Sequence, residues 1–286
     1  MMPSPSLTEK RRAVERILID GGSTLVAFSG GVDSTVLAAL ARAVLGKDAV
    51  LAVTADSPSL AREDLGMAIA LARTLDLHHR ILPTEEVQDP AYRANDRSRC
   101  FICKGTLFRA LQRIASDRGG AVVLYGAIGD DAAAERPGQQ AAHYVGARAP
   151  LQEAGLTKWE VRELARDLGL PNWDRPQNAC LASRIPHGQG VTEAKLAQIE
   201  AAEAKLRACG FRQVRVRHLG THARIEVDPE ALHRFRDAAL CRMIVEALER
   251  LGFETVGVDR RGYRPGGADR PAEAADEVLL QAICGC

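Results

Sequence analysis

The chain has 286 residues, room for one large domain or two ordinary ones at about 150 residues each. Hydrophobic residues make up 46% and charged residues 26%, enough apolar material for a proper core, which excludes a disordered chain and a disulfide-stapled miniprotein. With 38 Lys+Arg against 37 Asp+Glu the net charge is +1, which argues against a molecule-wide basic glove for nucleic acid, and no apolar run reaches the roughly 18 residues that span a bilayer.

In chain order, Thr24–Phe28 reads as a strand and about Ser34 to Leu45 as the helix after it. Ala49–Thr54 is a second strand, about Leu60 to Leu75 a helix, His79–Leu82 a third strand, Thr106 to Ser116 a helix and Ala121–Tyr125 a fourth strand. Thr157-Lys-Trp-Glu160 has the form of a capping box that opens a helix to about Leu168. Strands alternating with helices at this spacing predict an α/β fold with a doubly wound parallel sheet. The run 171–190 carries Pro171, Pro176, Pro186, Gly188 and Gly190 without periodicity, so it reads as an interdomain loop. Beyond it a helix (about Thr192 to Ala208), strands Gln213–His218 and Ala223–Val227, a long helix (about Glu230 to Leu251) and a strand at Thr255–Val258 predict a smaller α+β domain. The expected division is 1–170, 171–190, 191–264, and a C-terminal tail over 265–286 that is either a helix or irregular.

The N-terminal MMPSPSLTEKRR has no apolar stretch of signal-peptide type, so a cytoplasmic protein is expected. Seven cysteines, an odd number, in reducing surroundings speak for thiol chemistry rather than a disulfide framework. Cys209 and Cys241 fall in helical segments and read as inert core thiols, whereas Cys100, Cys103, Cys180, Cys284 and Cys286 fall in loops or the tail.

The most informative stretch is Ser29-Gly30-Gly31-Val32-Asp33-Ser34, between the first strand and the first helix of the alternating pattern. Its glycines permit a sharp turn whose amide N–H groups face an anion, and the helix behind adds the positive end of its dipole. Ser29 and Ser34 supply hydroxyls, and Asp33 is placed to hold a Mg²⁺ that bridges phosphates. No Gly-Lys-Ser/Thr follows, so this is not the loop that grips a γ-phosphate through lysine.

These six residues resemble the PP-loop of the ATP pyrophosphatase superfamily. The resemblance implies cleavage of ATP between its α- and β-phosphates. It also implies that Thr54, Asp56 and Ser57 lie near the adenosine, and Gly126, Asp130 and Asp131 near the phosphates or their metal. Further segments are similar to the LarE family of ATP-dependent sulfur transferases: Arg99-Cys100-Phe-Ile-Cys103-Lys104, Arg136-Pro-Gly138, Ala149-Pro-Leu151, Leu156 to Ala165, and above all Ala179-Cys180-Leu-Ala-Ser183-Arg184-Ile-Pro186. The likeness runs from about residue 10 to residue 264. It implies adenylation of a carboxylate of pyridinium-3,5-dicarboxylate mononucleotide and its conversion to a thiocarboxylate, a step in making the nickel-pincer nucleotide cofactor. A ring-like homo-oligomer and a sulfide or other sulfur donor are implied as well.

Sulfur has two sources on this reading. Cys180, with Arg175 and Arg184 on either side and Ser183 in support, is either sacrificed, leaving dehydroalanine as the resemblance implies, or it joins Cys100 and Cys103 as the third thiolate of a [4Fe–4S] cluster with one open iron. Zinc at the C-x-x-C is the remaining metal option. Farther along, the strand period puts Arg215 and Arg217 on one face with Val214 and Val216 on the other, a pair of guanidinium forks suited to a phosphate. The resemblance assigns that phosphate to the mononucleotide substrate, carries over Arg264 in support, and makes Glu203 a candidate for a second metal. Three departures from the family pattern stand out: Ala127-Ile128 after Gly126, where Thr-Asn is usual; Arg234 where an acid is usual; and Pro265-Gly-Gly-Ala-Asp269 after Gly262-Tyr263-Arg264, which differs from the usual continuation. The rival readings are a tRNA-thiolating PP-loop enzyme, against which the 4% aromatic content speaks, and a non-catalytic metal scaffold.

Overall fold

The computed structural model describes residues 5–131, 137–264 and 276–285, which divide into two compact units. The first comprises residues up to Glu86 together with Ser98–Asn178; the second comprises Val87–Arg97 and residues from Ala179 onward.

The first unit is built on a parallel four-stranded sheet in the order β3-β2-β1-β4, formed by β1 (Thr24–Ala27), β2 (Val50–Asp56), β3 (His78–Pro83) and β4 (Val122–Tyr125). Register is set by the pairs Thr24–Val50, Thr24–Val122 and Leu51–His78. The helices are α1 (Leu7–Gly21), α2 (Val32–Leu45), α3 (Arg62–Thr74), α5 (Arg99–Asp117), α6 (Pro137–Tyr144), α7 (Pro150–Glu153) and α8 (Lys158–Asp167), while α4 (Pro90–Arg93) belongs to the second unit. Alternation sends Val26, Val50 and Ala52 into a core with α1, α2, α3 and α8, and Leu25, Leu51 and Val53 into a core with α5 and α6. Both faces of the sheet are therefore covered, as a parallel sheet requires, and each fully buried aliphatic side chain contributes about 1.5–3 kcal/mol. The α/β class with a doubly wound parallel sheet and a second, smaller sheet is as expected.

Several elements differ from the sequence reading. Helix α1 is not among the expected elements, although Ser6-Leu-Thr-Glu9 is a full capping box: Ser6 Oγ accepts from Glu9 N–H at 3.3 Å and Ser6 N–H donates to Glu9 Oε2 at 2.7 Å. The box at Thr157 is present, with Thr157 N–H donating to Glu160 Oε2 at 2.7 Å. Helix α5 starts seven residues before the expected Thr106, because Phe101, Phe108, Leu111 and Ala115 continue one apolar face.

The second unit has a mixed sheet in the order β5-β6-β7-β8, from β5 (Val214–Leu219), β6 (His222–Val227), β7 (Thr255–Asp259) and β8 (Glu277–Leu279). The pair β5/β6 is antiparallel, β6/β7 parallel and β7/β8 antiparallel. Helices α9 (Glu193–Ala208), α10 (Ala238–Glu249) and α11 (Leu280–Cys284) cover one face, packing Leu206, Ile244, Val245 and Leu280 onto Val214, Val216, Ile225 and Val256. The single helix expected over 230–251 is instead a 3-10 segment, Pro229–Arg236, followed by α10. Asp237 makes the break, its carboxylate accepting the N–H groups of Ala239 and Leu240 at 2.9 and 3.3 Å as a helix N-cap. Residues 277–284 form β8 and α11 within the second unit; residues 265–275 and Cys286 lie outside the described part. The 87–97 excursion is tied in by Asn95, whose side-chain amide donates to the carbonyls of Ile185, Pro186 and Gln189 at 3.2, 2.8 and 2.9 Å. Among the described residues no helix is long and apolar enough to cross a membrane.

Candidate functional site

In the first unit the chain leaves β1 and turns through Ser29–Gly31 into α2, at the carboxyl end of the sheet beside the point where strand order reverses. Gly30 takes φ +70°, and a Cβ there would lie 2.9 Å from Ala68 Cα on α3. Gly126, just past β4, approaches even more closely: a Cβ would sit 2.8 Å from Ser34 N and 3.0 Å from Asp33 C. Both positions therefore take glycine for want of room, and Gly30 for its positive φ as well.

The polar atoms of the turn bond inward. Ser29 N–H donates to Ser34 Oγ at 3.2 Å, the two serine hydroxyls meet at 3.1 Å, and the Gly31 carbonyl accepts from Ser34 Oγ and Thr35 Oγ1 at 3.1 and 2.8 Å. Asn172 Nδ2 donates to the Gly30 carbonyl at 3.0 Å and to Thr35 Oγ1 at 3.1 Å. With the carbonyls tied back and no side chain capping α2, the N–H groups of its first turn have no intrahelical acceptor, which makes the turn a cradle for an anion.

Asp33 lies in that first turn, and Lys158 Nζ sits on its carboxylate at 2.8 and 2.9 Å. Sequence reasoning does not single out Lys158, since position 158 reads simply as the residue after a helix cap; only folding brings it to Asp33, 125 residues away. At the end of β2, Thr54 Oγ1 donates to the Phe28 carbonyl at 2.6 Å, leaving His79 Nε2 to donate to Thr54 at 2.8 Å. Burial lowers the pKa of His79 and so favours its neutral ring. Asp56 pairs with Arg62 Nη1 at 2.6 Å. Ser57 is buried, donates to Glu86 Oε1 and lies 2.8 Å from Ser59 Oγ; Glu86, also buried, carries no signal in the sequence. Asp131 ends a 3-10 turn, Gly129–Asp131, and its side chain, like Arg136, lies outside the described part.

Cys100 and Cys103 are not in a loop: they stand three residues apart near the start of α5, neighbours on one helix surface. Both are reduced, Cys100 exposed and Cys103 half-buried.

In the second unit, exposed Cys180 is the N-cap of a 3-10 turn, Leu181–Arg184. Arg184 is 1% exposed and braces that turn from beneath, donating from Nη1 to the carbonyls of Ala179 and Cys180 at 2.5 and 2.9 Å and to Ser183 Oγ at 3.1 Å. Its Nε and Nη2 form a fork on Glu203 at 2.8 and 3.1 Å. Glu203, buried, also accepts the outward N–H of Val216 on edge strand β5 at 3.1 Å. Its carboxylate is thus engaged as a counter-ion, and within either unit, among the described residues, no group of three His, Cys, Asp or Glu side chains is disposed to hold a metal.

Arg215 and Arg217 do share a face, opposite Val214 and Val216 in the hydrophobic core, and that face is buried rather than solvated. Arg217 grips Glu226 through Nε and Nη2 at 3.0 and 2.8 Å and donates from Nη1 to the Ser183 carbonyl at 2.8 Å. Arg215 lies 5.1 Å from the centre of the Tyr263 ring, and its pKa is lowered to about 10 by burial and then by the charge of Arg184. Arg224 and Arg264 approach Asp259 at 3.2 and 3.8 Å. Among the described residues, Arg184, Arg215, Arg217, Arg224 and Arg264 gather with Glu203, Glu226 and Asp259 in this layer. Arg175, in the first unit, bonds Asp64 at 2.6 Å. Cys241 is buried in the core, its pKa raised by burial, whereas Cys284, 5% exposed, is disulfide-bonded rather than a tail thiol.

A strand–loop–helix with Ser29–Ser34 at its apex, at the carboxyl end of a 3-2-1-4 parallel sheet, defines a PP-loop protein of the ATP pyrophosphatase type. The NAD synthase family model matches residues 15–107, the part that contains this loop. The chain is 37% identical to a pyridinium-3,5-bisthiocarboxylic acid mononucleotide synthase of Lactiplantibacillus plantarum over 262 residues, 91% of this chain and 94% of that one. It therefore belongs to the LarE family. An uncharacterized protein of Synechocystis sp. is 43% identical over 246 residues, 86% of this chain and 91% of its own. One of the subunits of the glutamine-hydrolyzing GMP synthase of Methanococcus vannielii is 29% identical over 212 residues, 67% of this chain and 62% of that one.

Proposed function

We propose that the protein uses ATP to adenylate a carboxylate of pyridinium-3,5-dicarboxylate mononucleotide and replaces the adenylate with sulfur, forming a thiocarboxylate for the nickel-pincer nucleotide cofactor. The observation that carries this reading is an anion cradle of PP-loop form in a chain that also presents an exposed thiol, Cys180, at the head of a braced turn. The relative of known activity aligns across both.

The substrate carboxylate oxygen attacks the α-phosphorus of ATP, the bond to the β-phosphate breaks, and pyrophosphate departs. The N–H groups at the start of α2 that have no intrahelical acceptor stabilise the charge that gathers on the departing phosphates, with Lys158 beside them on Asp33. Asp33 would hold Mg²⁺, which supplies further neutralisation when bound. A sulfur nucleophile then attacks the acyl carbon and AMP leaves. If Cys180 is that nucleophile, loss of its α-proton and cleavage of its Cβ–S bond leave the sulfur on the product and dehydroalanine in the chain. Burial of Arg215 and Arg217 speaks against an RNA backbone as their partner, since RNA needs guanidinium groups at the surface.

The pair of neighbouring cysteines, Cys100 and Cys103, supports a second source. On one helix surface near a positively polarised helix end, they would hold two corners of a [4Fe–4S] cluster with Cys180 as third ligand, the cluster supplying sulfide when bound. Anaerobic purification followed by iron and acid-labile sulfide assay decides between the two. About four of each per chain, lost in Cys100→Ala, establishes the cluster; none leaves Cys180 as the donor.

Asp33→Ala is expected to lower pyrophosphate release by about 100-fold or more, since charge neutralisation at transferred phosphate is a dominant catalytic term. An unchanged rate at saturating Mg²⁺ would remove Asp33 from that role.

A further inference from the structure

The stretch that leads to the Cys180 turn is fastened to the nucleotide-binding half of the first unit at several points. Asn172, 4% exposed, donates to the Gly30 carbonyl of the phosphate loop. Arg162, on α8, donates to the carbonyls of Trp173 and Arg175 at 3.1 and 2.8 Å. The last fastening is Asp64: one carboxylate oxygen accepts from Arg175 Nη2 at 2.6 Å and the other from Asn178 Nδ2 at 2.6 Å. Asp64 is one helical turn from Ala68, the residue against which Gly30 packs, so a single turn of α3 supports the phosphate loop and grips the segment.

An acidic residue in the first turn of a helix is favourable in itself through the dipole. That effect needs no partners, however, whereas both Asp64 oxygens are spent on two side chains of one distant segment, 111 and 114 residues away. The carboxylate is only 13% exposed, which makes the bond to Arg175 stronger than a surface pair. We propose that Asp64 is a positioning residue for the sulfur-transfer step: by gripping Arg175 and Asn178 it fixes the chain that reaches Cys180 two residues later. The proposal rests on Cys180 delivering or holding the sulfur. Adenylation takes place on the phosphate loop, which keeps its own bonds when Asp64 is changed.

The test separates the two half-reactions. With full-length protein, ATP, Mg²⁺ and the dicarboxylate mononucleotide, Asp64→Ala is expected to release pyrophosphate within about twofold of wild type, while sulfur inserted per pyrophosphate falls about tenfold or more through misplacement of the nucleophile. Arg175→Ala should do the same, and the double variant should be no worse than either single one, because one contact is being removed. Asp64→Asn, which keeps the shape and loses the charge, guards against a folding defect and should fall between. Hydrogen exchange over 172–180 should quicken in Asp64→Ala and stay as wild type elsewhere. Pyrophosphate release and sulfur insertion falling in step would overturn the proposal, as would unchanged exchange with an intact ratio. If wild type releases no pyrophosphate with this mononucleotide, the functional reading fails, and the exchange measurement still decides whether Asp64 tethers the segment.

Discussion

Cys180→Ala is expected to release pyrophosphate from ATP in the presence of the dicarboxylate mononucleotide and to insert no sulfur. The thiol takes no part in the attack on the α-phosphorus, which belongs to the Ser29–Ser34 turn of the first unit. It also takes no part in its own turn's scaffolding. Arg184 holds that turn through the main-chain carbonyls of residues 179 and 180, which an alanine still provides. Removing Sγ therefore deletes the nucleophile, or one cluster ligand, and leaves the local fold in place. Product analysis by mass spectrometry reads the outcome. Wild type converted without a cluster should lose the mass of hydrogen sulfide, about 34 Da, from the peptide containing residue 180 as dehydroalanine forms. A variant that still makes thiocarboxylate would place the sulfur elsewhere, with Cys100 and Cys103 the next residues to change.

Glu203→Ala should cost the second unit about 3–5 kcal/mol, the range found when one partner of a buried ion pair is removed. The side chain is 1% exposed, as is that of Arg184, and the pair is bidentate. Its loss strands a guanidinium in the interior beside Arg215, and it also orphans the Val216 N–H on an edge strand. Urea denaturation followed by circular dichroism should show the midpoint of the second unit's transition moving sharply down while that of the first unit stays. Sulfur insertion should fall with it, because Arg184 would no longer be aimed at the carbonyls around Cys180. Glu203→Gln keeps an acceptor for both donors and should lose less. Unchanged stability in Glu203→Ala would show that the carboxylate is free for other work, such as a metal.

The first unit is largely legible in the sequence because its signals are local. Each of its four strands lies within two residues of the apolar run that announces it, and the Ser29–Ser34 motif marks the loop without any tertiary information. Helix α1 carries a readable capping box at Ser6, so that element too is written in neighbouring residues. The start of α5 is obscured because Cys100–Lys104 reads as a motif before it reads as one turn of an amphipathic face. The site is legible only where its chemistry falls in adjacent positions. Lys158 on Asp33 and Asp64 on Arg175 join positions more than a hundred residues apart, and no periodicity announces them. Alternation correctly puts Arg215 and Arg217 on one face; it does not show that the face is buried, because that follows from Glu203 and Glu226 supplying countercharge.

The excursion Val87–Arg97 gives the chain an interleaved itinerary: it leaves the first unit at Glu86, returns at Ser98, and leaves again after Asn178. Neither unit is therefore a contiguous stretch that recombination could lift out whole. A fragment cut at residue 178 would keep Asn95 and forfeit the three carbonyls that its amide serves; the complementary fragment would keep those carbonyls and lose the donor. Shortening this protein to a free-standing ATP-binding module would require closing the gap between Glu86 and Ser98 with a new linker.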